Sequence, residues 1–306
     1  MNGVFHSDMP TVLITGINGF TGRYLAEELR AAGYTVAGIS HDVPEAGKGG
    51  VFRCNLHDRD ALAEVLGQIQ PDIVVHLAAI SFVANGDVEA IYRTNVIGTR
   101  NLLEAVSSCG QIPRSILLAS SANVYGNTTV EYINESVPVA PANDYAVSKL
   151  AMEYMARLWL DRLPITIVRP FNYTGVGQAE DFLLPKIVSH FKRRAPVIEL
   201  GNLDVVRDFS DVRSVVHYYR LLLETESPCE VFNICSGQGH SLMDVLEMMR
   251  EISSYSPEVH VNPAFVRANE VRKLVGSRAK LQKWIGPVAD IPLRDTLNWM
   301  YKALEA

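Results

Sequence analysis

Short apolar runs alternate with stretches of helical periodicity through the first half of the chain. Thr11–Thr15 is apolar and enters a glycine-rich turn; Gly22–Ala32 then reads as a helix stopped by Gly33. Val36–Ser40 and Val51–Phe52 read as strands, Asp58–Gln70 as a helix, and Ile73–Leu77 as a buried strand. One long helix is expected over Val88–Val106, a strand over Ile116–Ser120, and a second long helix over Asp144–Leu160. Pro164 separates that helix from the strand Ile165–Val168. Continuously apolar strands alternating with helices predict a parallel sheet covered on both faces. Right-handed crossovers make this an α/β, doubly wound Rossmann sheet, with ligands at the carboxyl ends of its strands.

The second half is less regular. Polar and glycine-rich connections at Asn172–Asp181 and Glu199–Phe209 precede a strand-like Glu230–Cys235. A dinucleotide-binding domain is expected over 1–170, with segments near 208–240 returning to it. A smaller C-terminal substrate-binding lobe is expected over 171–306.

Composition narrows the classes little but usefully. The 306 residues are 48% hydrophobic and 20% charged, ordinary for a globular chain. The net charge of −6 argues against a nucleic-acid surface, which needs a basic excess. Cys54, Cys109, Cys229 and Cys235 are scattered and lack a neighbouring His cluster, so they read as reduced thiols; no metal site or disulfide framework is expected. The first ten residues lack a basic region followed by an apolar run, and no apolar stretch reaches membrane-spanning length; a cytoplasmic location is the default expectation.

The turn after the first strand reads Gly16-Ile17-Asn18-Gly19-Phe20-Thr21-Gly22. Gly16 can make the sharp turn, Gly19 lets a pyrophosphate approach the backbone, and Gly22 permits close helix–strand packing. The helix N-terminus that follows offers N–H groups to phosphate. Asn18 and Phe20 lie in the same cradle. An acidic residue at the end of the second strand would bind the ribose 2′-hydroxyl of NAD, but Ser40 stands there, followed by His41. A hydroxyl leaves room for a 2′-phosphate, and His41, Arg23 or Lys48 can supply positive charge. NADP is therefore favoured, with NAD open through Asp42 if the strand runs two residues further.

Tyr145 and Lys149 form a Y-x-x-x-K pair on one helical face. The lysine ammonium favours tyrosinate, and Lys149 can hydrogen-bond a nicotinamide ribose. Tyr145 can then exchange a proton with a substrate oxygen. Ser121, at the carboxyl end of the Ile116–Ser120 strand, can hydrogen-bond the same oxygen.

Glycine turn, serine and Y-x-x-x-K in this order resemble the extended short-chain dehydrogenase/reductase family over essentially the whole chain. His76-Leu77-Ala78-Ala79, Thr94–Ala105 and Arg169-Pro170-Phe171-Asn172 carry the resemblance further. It implies that Asn55 and Leu56 lie beside the adenine, that Leu77, Ala78 and Ala79 line the cofactor cleft, and that Asn95 lies near the active site. The family more often has an acid where Asn55 stands. In the second half, Gly201–Val212 is similar to segments of GDP-mannose 4,6-dehydratases and GDP-4-keto-6-deoxymannose reductases. By that similarity Asn172 reaches the sugar diphosphate, Arg207 pairs with it, Arg267 makes a second phosphate contact, and Lys186 lies near the nucleotide.

A dehydratase needs an additional acid–base group, and its family position two residues after Ser121 is glutamate. Here Asn123 stands there, an amide that does not exchange protons usefully. Reduction of a nucleotide-linked 4-keto-6-deoxy sugar, GDP-4-keto-6-deoxy-D-mannose to GDP-D-rhamnose, is the expected reaction. A 4-epimerase with retained NAD uses the same residues and stays open, as does a non-catalytic dinucleotide-sensing protein. The matching helices of the family pair subunits, so a homodimer is expected from Val88–Val106 and Asp144–Leu160.

Overall fold

The computed structural model describes residues 9–42, 50–81, 87–226, 229–265 and 272–303. Contacts divide the chain into two compact units. The first comprises Met1–Val124, Asn143–Arg169 and Val216–Phe232; the second comprises Tyr125–Ala142, Pro170–Val215 and Asn233–Ala306.

The first unit opens with strand β1 (Thr11–Thr15), helix α1 (Phe20–Ala31), β2 (Thr35–Ser40) and β3 (Val51–Arg53). Then come α2 (Arg59–Ile69), β4 (Ile73–His76), α3 (Val88–Tyr92), a π-helical segment (Arg93–Gly98) and α4 (Thr99–Ser108). After β5 (Ser115–Ala119) come α5 (Asp144–Arg157) and β6 (Ile165–Pro170). Three helix starts have a side-chain cap: Asp58, Asp87 and Asn143 accept from backbone N–H groups of Ala61, Ala90 and Ala146, capping α2, α3 and α5.

The second unit carries β7 (Asn172–Thr174), α6 (Leu183–Lys192), β8 (Val197–Leu200) and β9 (Val206–Asp211). Helix α7 (Val212–Glu224) and strand β10 (Val231–Ile234) follow, and residues Val216–Phe232 among them belong to the first unit. The rest is β11 (Gly239–Ser241), α8 (Leu242–Ser253), β12 (Glu258–Val261), β13 (Lys273–Leu274), α9 (Ala279–Ile285) and α10 (Leu293–Lys302).

The main sheet has the order β10-β6-β5-β4-β1-β2-β3, and the β1–β2, β1–β4, β2–β3, β4–β5 and β5–β6 pairings are all parallel. β1 is thus flanked by β2 on one side and β4 on the other. The winding reverses there, which opens a crevice at the carboxyl ends of β1 and β4. The strands are apolar on both faces because helices cover both. Leu13, Ile39, Val74, Ile116, Leu118 and Ile167 pack in one core with Leu62, Leu66, Leu102, Leu103, Val106 and Met152 from the helices. In the second unit, Leu184, Ile187, Phe191, Ile198, Leu200, Val245, Met249 and Leu297 form a separate core.

The elements differ from expectation most clearly at 88–108. The expected continuous helix is interrupted by the π-helical turn at Arg93–Gly98, which re-aims Asn95. No described helix is long and apolar enough to cross a membrane. All four cysteines are free thiols, and among the described residues no group of three or more His, Cys, Asp or Glu is placed to hold a metal ion.

Candidate active site

The turn after β1 is sterically determined. Gly16 has φ +74°, and a Cβ there would lie 2.9 Å from the Ala78 backbone nitrogen. Only glycine combines that left-handed backbone with that approach. Gly16 N–H donates to Ile39 O across to β2, and Gly19 N–H donates back to Gly16 O. Gly19 caps α1, whose first turn holds no acidic residue, so its positive end faces no fixed carboxylate of its own. Asn18 Nδ2 donates to the Asp42 carbonyl. Phe20 packs edge-on against Tyr24.

Strand β2 ends at Ser40, which is 8% exposed, and the Ser40 hydroxyl accepts from the Asp42 N–H at 3.3 Å. His41 and Asp42 are exposed beyond it. Lys48 lies outside the described residues. At the start of α2, the Asn55 side chain accepts from His57 N–H, and buried Leu56 presents its carbonyl to Asn101 Nδ2. Half-buried Leu77, Ala78 and Ala79 follow β4; Leu77 N–H donates to Thr15 O and Ala78 N–H to Thr15 Oγ1.

A buried polar chain runs beneath these loops. Thr15 Oγ1 lies 2.6 Å from His76 Nδ1, and His76 Nε2 lies 2.8 Å from Thr99 Oγ1, whose hydroxyl donates to Asn95 O. Since Thr99 gives its proton to Asn95, His76 donates from Nε2. With the ring neutral, Nδ1 is then the acceptor toward Thr15 Oγ1. Burial, with the neighbouring Lys149 charge adding to it, pushes the His76 pKa down to about 3. The Asn95 amide closes the chain: its oxygen accepts from Ile80 N–H, and its nitrogen donates to Ile80 O and Ser148 Oγ.

Tyr145, Ser148 and Lys149 sit on the first turns of α5. Lys149 is 4% exposed; its Nζ donates to Ala119 O at 2.8 Å and lies 6.0 Å from the Tyr145 ring centroid. Burial pulls the Lys149 pKa down to about 8, opposed by the negative charge of Glu153. Ser121 is 8% exposed at the end of β5, and its hydroxyl accepts from the Asn123 N–H in the short helical turn Ala122–Tyr125. Accepting that bond leaves the Ser121 O–H to donate. Ala119 bridges the two halves of the set: Lys149 holds its carbonyl, two residues before Ser121.

Asn172, Lys186 and Arg207, expected to meet substrate, lie in the second unit. Asn172 begins β7, and its Nδ2 is buried with no hydrogen-bond partner. An orphaned buried amide donor is uncommon and costly. Arg207, on β9, donates from Nη1 to the carbonyls of Val206 and Arg272. Lys186, on α6, donates to Glu199 O and lies 4.3 Å from the Phe265 ring centroid. Arg267 lies outside the described residues.

The sequence reading did not single out Glu153, Ser120, Thr15 and Thr99. Glu153 had a local signal, four residues after Lys149 on the same helical face.

Comparison with known proteins agrees with this architecture. Residues 13–300 match the family model described as GDP-mannose 4,6 dehydratase. The chain is 35% identical to a GDP-6-deoxy-D-talose 4-dehydrogenase of Aggregatibacter actinomycetemcomitans, over 95% of this chain and 97% of that one. It is 32% identical to a GDP-6-deoxy-D-mannose reductase of Pseudomonas aeruginosa, over 94% of each. The solved structure of RMD from P. aeruginosa complexed with NADPH superposes with a TM-score of 0.85 at 30% identity, covering 96% of this chain and 98% of that one. A Burkholderia cenocepacia structure, provisionally named an epimerase, superposes with a TM-score of 0.90 at 49% identity, covering 95% and 97%. With the glycine turn and the reversed sheet order on one chain, and with a family match over residues 13–300, this chain belongs to the GDP-mannose 4,6-dehydratase family of the extended short-chain dehydrogenases/reductases.

Proposed function

We propose that this protein reduces the 4-keto group of a nucleotide-linked 4-keto-6-deoxy sugar, GDP-4-keto-6-deoxy-D-mannose to GDP-D-rhamnose, with NADP favoured over NAD. The observation that carries the reading is the buried Lys149 ammonium, held on Ala119 O one helical turn from Tyr145 and two residues from Ser121. The glycine turn fits the cofactor's pyrophosphate: its backbone is packed too closely for any Cβ at Gly16, and it feeds a helix N-terminus without acidic residues.

The cofactor, when bound, supplies the hydride. The chain's own residues manage the proton and the substrate. Tyr145 donates its phenolic proton to the carbonyl oxygen as that oxygen gains negative charge. Ser121 donates a hydrogen bond to the same oxygen. Lys149 stabilises the tyrosinate left behind, and its ammonium orients a ribose hydroxyl. Asn172 offers its orphaned Nδ2–H to an oxygen of the sugar diphosphate. Lys186, Arg207 and Arg267 supply positive charge for the phosphates in this reading, and Arg207 does so from a side chain partly anchored on backbone carbonyls.

Asn123 separates this reaction from dehydration, because an amide cannot remove a sugar proton. Ser40 supports NADP: it is the last residue of β2 and places no charge beside a 2′-phosphate. Oxidation of NADPH and NADH by GDP-4-keto-6-deoxymannose made in situ, followed by nicotinamide absorbance, tests the reading. Turnover that disappears in Tyr145→Phe supports it; a folded, cofactor-binding chain without turnover refutes it. A 4-epimerase with retained NAD is the second reading, favoured by the likeness to the Burkholderia chain. It requires NAD to co-purify and uridine- or thymidine-linked sugars to epimerise without added cofactor.

We further propose a homodimer. Val147, Tyr154 and Leu158 are exposed apolar residues spaced seven and four apart along and just beyond α5, and Ile97 is exposed on the adjoining π-helical segment. Such a stripe suits a helical interface between copies.

A further inference from the structure

Tyr145, Lys149 and Glu153 recur every four residues along α5 and project from one face. Two of them grip consecutive residues at the end of β5. Lys149 Nζ holds Ala119 O at 2.8 Å, and Glu153 Oε1 accepts from Ser120 Oγ at 2.5 Å. The next residue is Ser121. Glu153 also takes a two-pronged bond from Arg169 on β6, Nε to Oε1 at 2.9 Å and Nη2 to Oε2 at 2.6 Å. Glu153 is 0% exposed, Ser120 3% and Arg169 4%.

Stability alone is a poor reason for this arrangement. Apolar residues of similar volume often serve a core as well as a buried ion pair, because desolvation offsets the Coulombic gain. The pair is instead placed one residue from Ser121 and one helical turn from Lys149.

We propose that Glu153 is a positioning residue for the Ser121, Tyr145 and Lys149 set: it anchors the end of β5 through Ser120 and faces Lys149 with a compensating negative charge. The proposal rests on reading that set as the acid–base centre. The groups facing Lys149 are Tyr145 and Glu153 from its own helix, the Ala119 carbonyl from β5, and His76 from β4; Arg169 of β6 stands behind Glu153. His76 is neutral, so it contributes no charge near pH 7. Burial already pulls Lys149 down to about 8, and Glu153 opposes it. Without the carboxylate, Lys149 would lose its proton in the working range.

The test reads Lys149 directly, in the protein without substrate. In 13C-lysine-labelled protein, the Cε resonance that vanishes in Lys149→Met is followed against pH. Glu153→Gln lowers its midpoint by about one pH unit or more. Because that variant leaves Arg169 buried without a counter-charge, Glu153→Met combined with Arg169→Met is measured beside it, and the midpoint falls there too. In Ser120→Ala the midpoint stays in place, while kcat falls about ten-fold at unchanged KM, as expected when Ser121 is misplaced. An unmoved Lys149 midpoint in both Glu153 variants overturns the proposal, and an unchanged kcat in Ser120→Ala overturns its strand-anchoring half. Absent turnover by the wild type would instead sink the reductase reading, and the resonance would still decide the charge.

Discussion

Gly22→Ala and Gly67→Ala are the same substitution on two helices, and the structure assigns them opposite signs. At the solvent-exposed Gly67 in α2, an added Cβ meets nothing within 4 Å. Alanine there gains helix propensity of about 0.5–1 kcal/mol. Gly22 has the same propensity to gain in α1, but its Cβ would stand 2.3 Å from Gly16 O and 2.7 Å from both Ile17 Cα and Ile17 O. All three atoms are backbone, so no side chain can rotate away. Overpacking of this kind costs about 1–3 kcal/mol, and the upper end applies where backbone must move. The net expectation is a loss of about 2 kcal/mol for Gly22→Ala, or roughly 4 °C in Tm, against a gain of about 1–2 °C for Gly67→Ala. The backbone that must move is the Gly16–Gly19 turn, so NADPH affinity falls about ten-fold or more in Gly22→Ala and is unchanged in Gly67→Ala. Thermal melts and fluorescence titration with NADPH read both quantities. Equal Tm shifts in the two variants, or full NADPH affinity in Gly22→Ala, would refute the packing argument.

Three further outcomes follow from particular side chains. His76 is neutral in the fold, with a pKa of about 3 against 6.5 when unfolded, so the stability it carries is intact above about pH 6.5 and is lost as pH falls toward 3. Urea unfolding at pH 7 and pH 5 should show a loss of about 2 kcal/mol that His76→Gln lacks, and equal losses would contradict the assignment. Ser40→Asp places a carboxylate at the end of β2 and should weaken NADPH binding about ten-fold or more while sparing NADH; unchanged selectivity would remove Ser40 from the cofactor contact. Leu158→Glu, at a residue 80% exposed, should convert a light-scattering dimer to a monomer without lowering Tm by more than about 2 °C; a monomeric wild type ends the dimer proposal.

The alternation of apolar strands with helical stretches was enough to place every strand of the main sheet, because apolar runs and 3.6-residue periodicity are local properties of the chain. The glycine turn was legible for the same reason: a strand, three spaced glycines and a helix start are contiguous. Tyr145 and Lys149 could be paired from spacing alone, since four residues on a helix bring two side chains to one face. What lies across chain segments was not legible. Glu153 joins Ser120 over a separation of 33 residues and Arg169 over 16, and nothing local selects those partners. The π-helical turn at Arg93–Gly98 was invisible to a periodicity that averages over several turns, yet Asn95 within it reaches both Ile80 and Ser148. Nor could the sequence show that Asn172 keeps a buried amide nitrogen without a partner, or that Ser40 spends its acceptor on the Asp42 N–H. Chain order alone set which residue types stand at the carboxyl ends of the strands. Which of them are buried, which are paired and which keep a donor to spare emerged with folding, because burial and pairing depend on neighbours that the fold, and not the chain order, brings together.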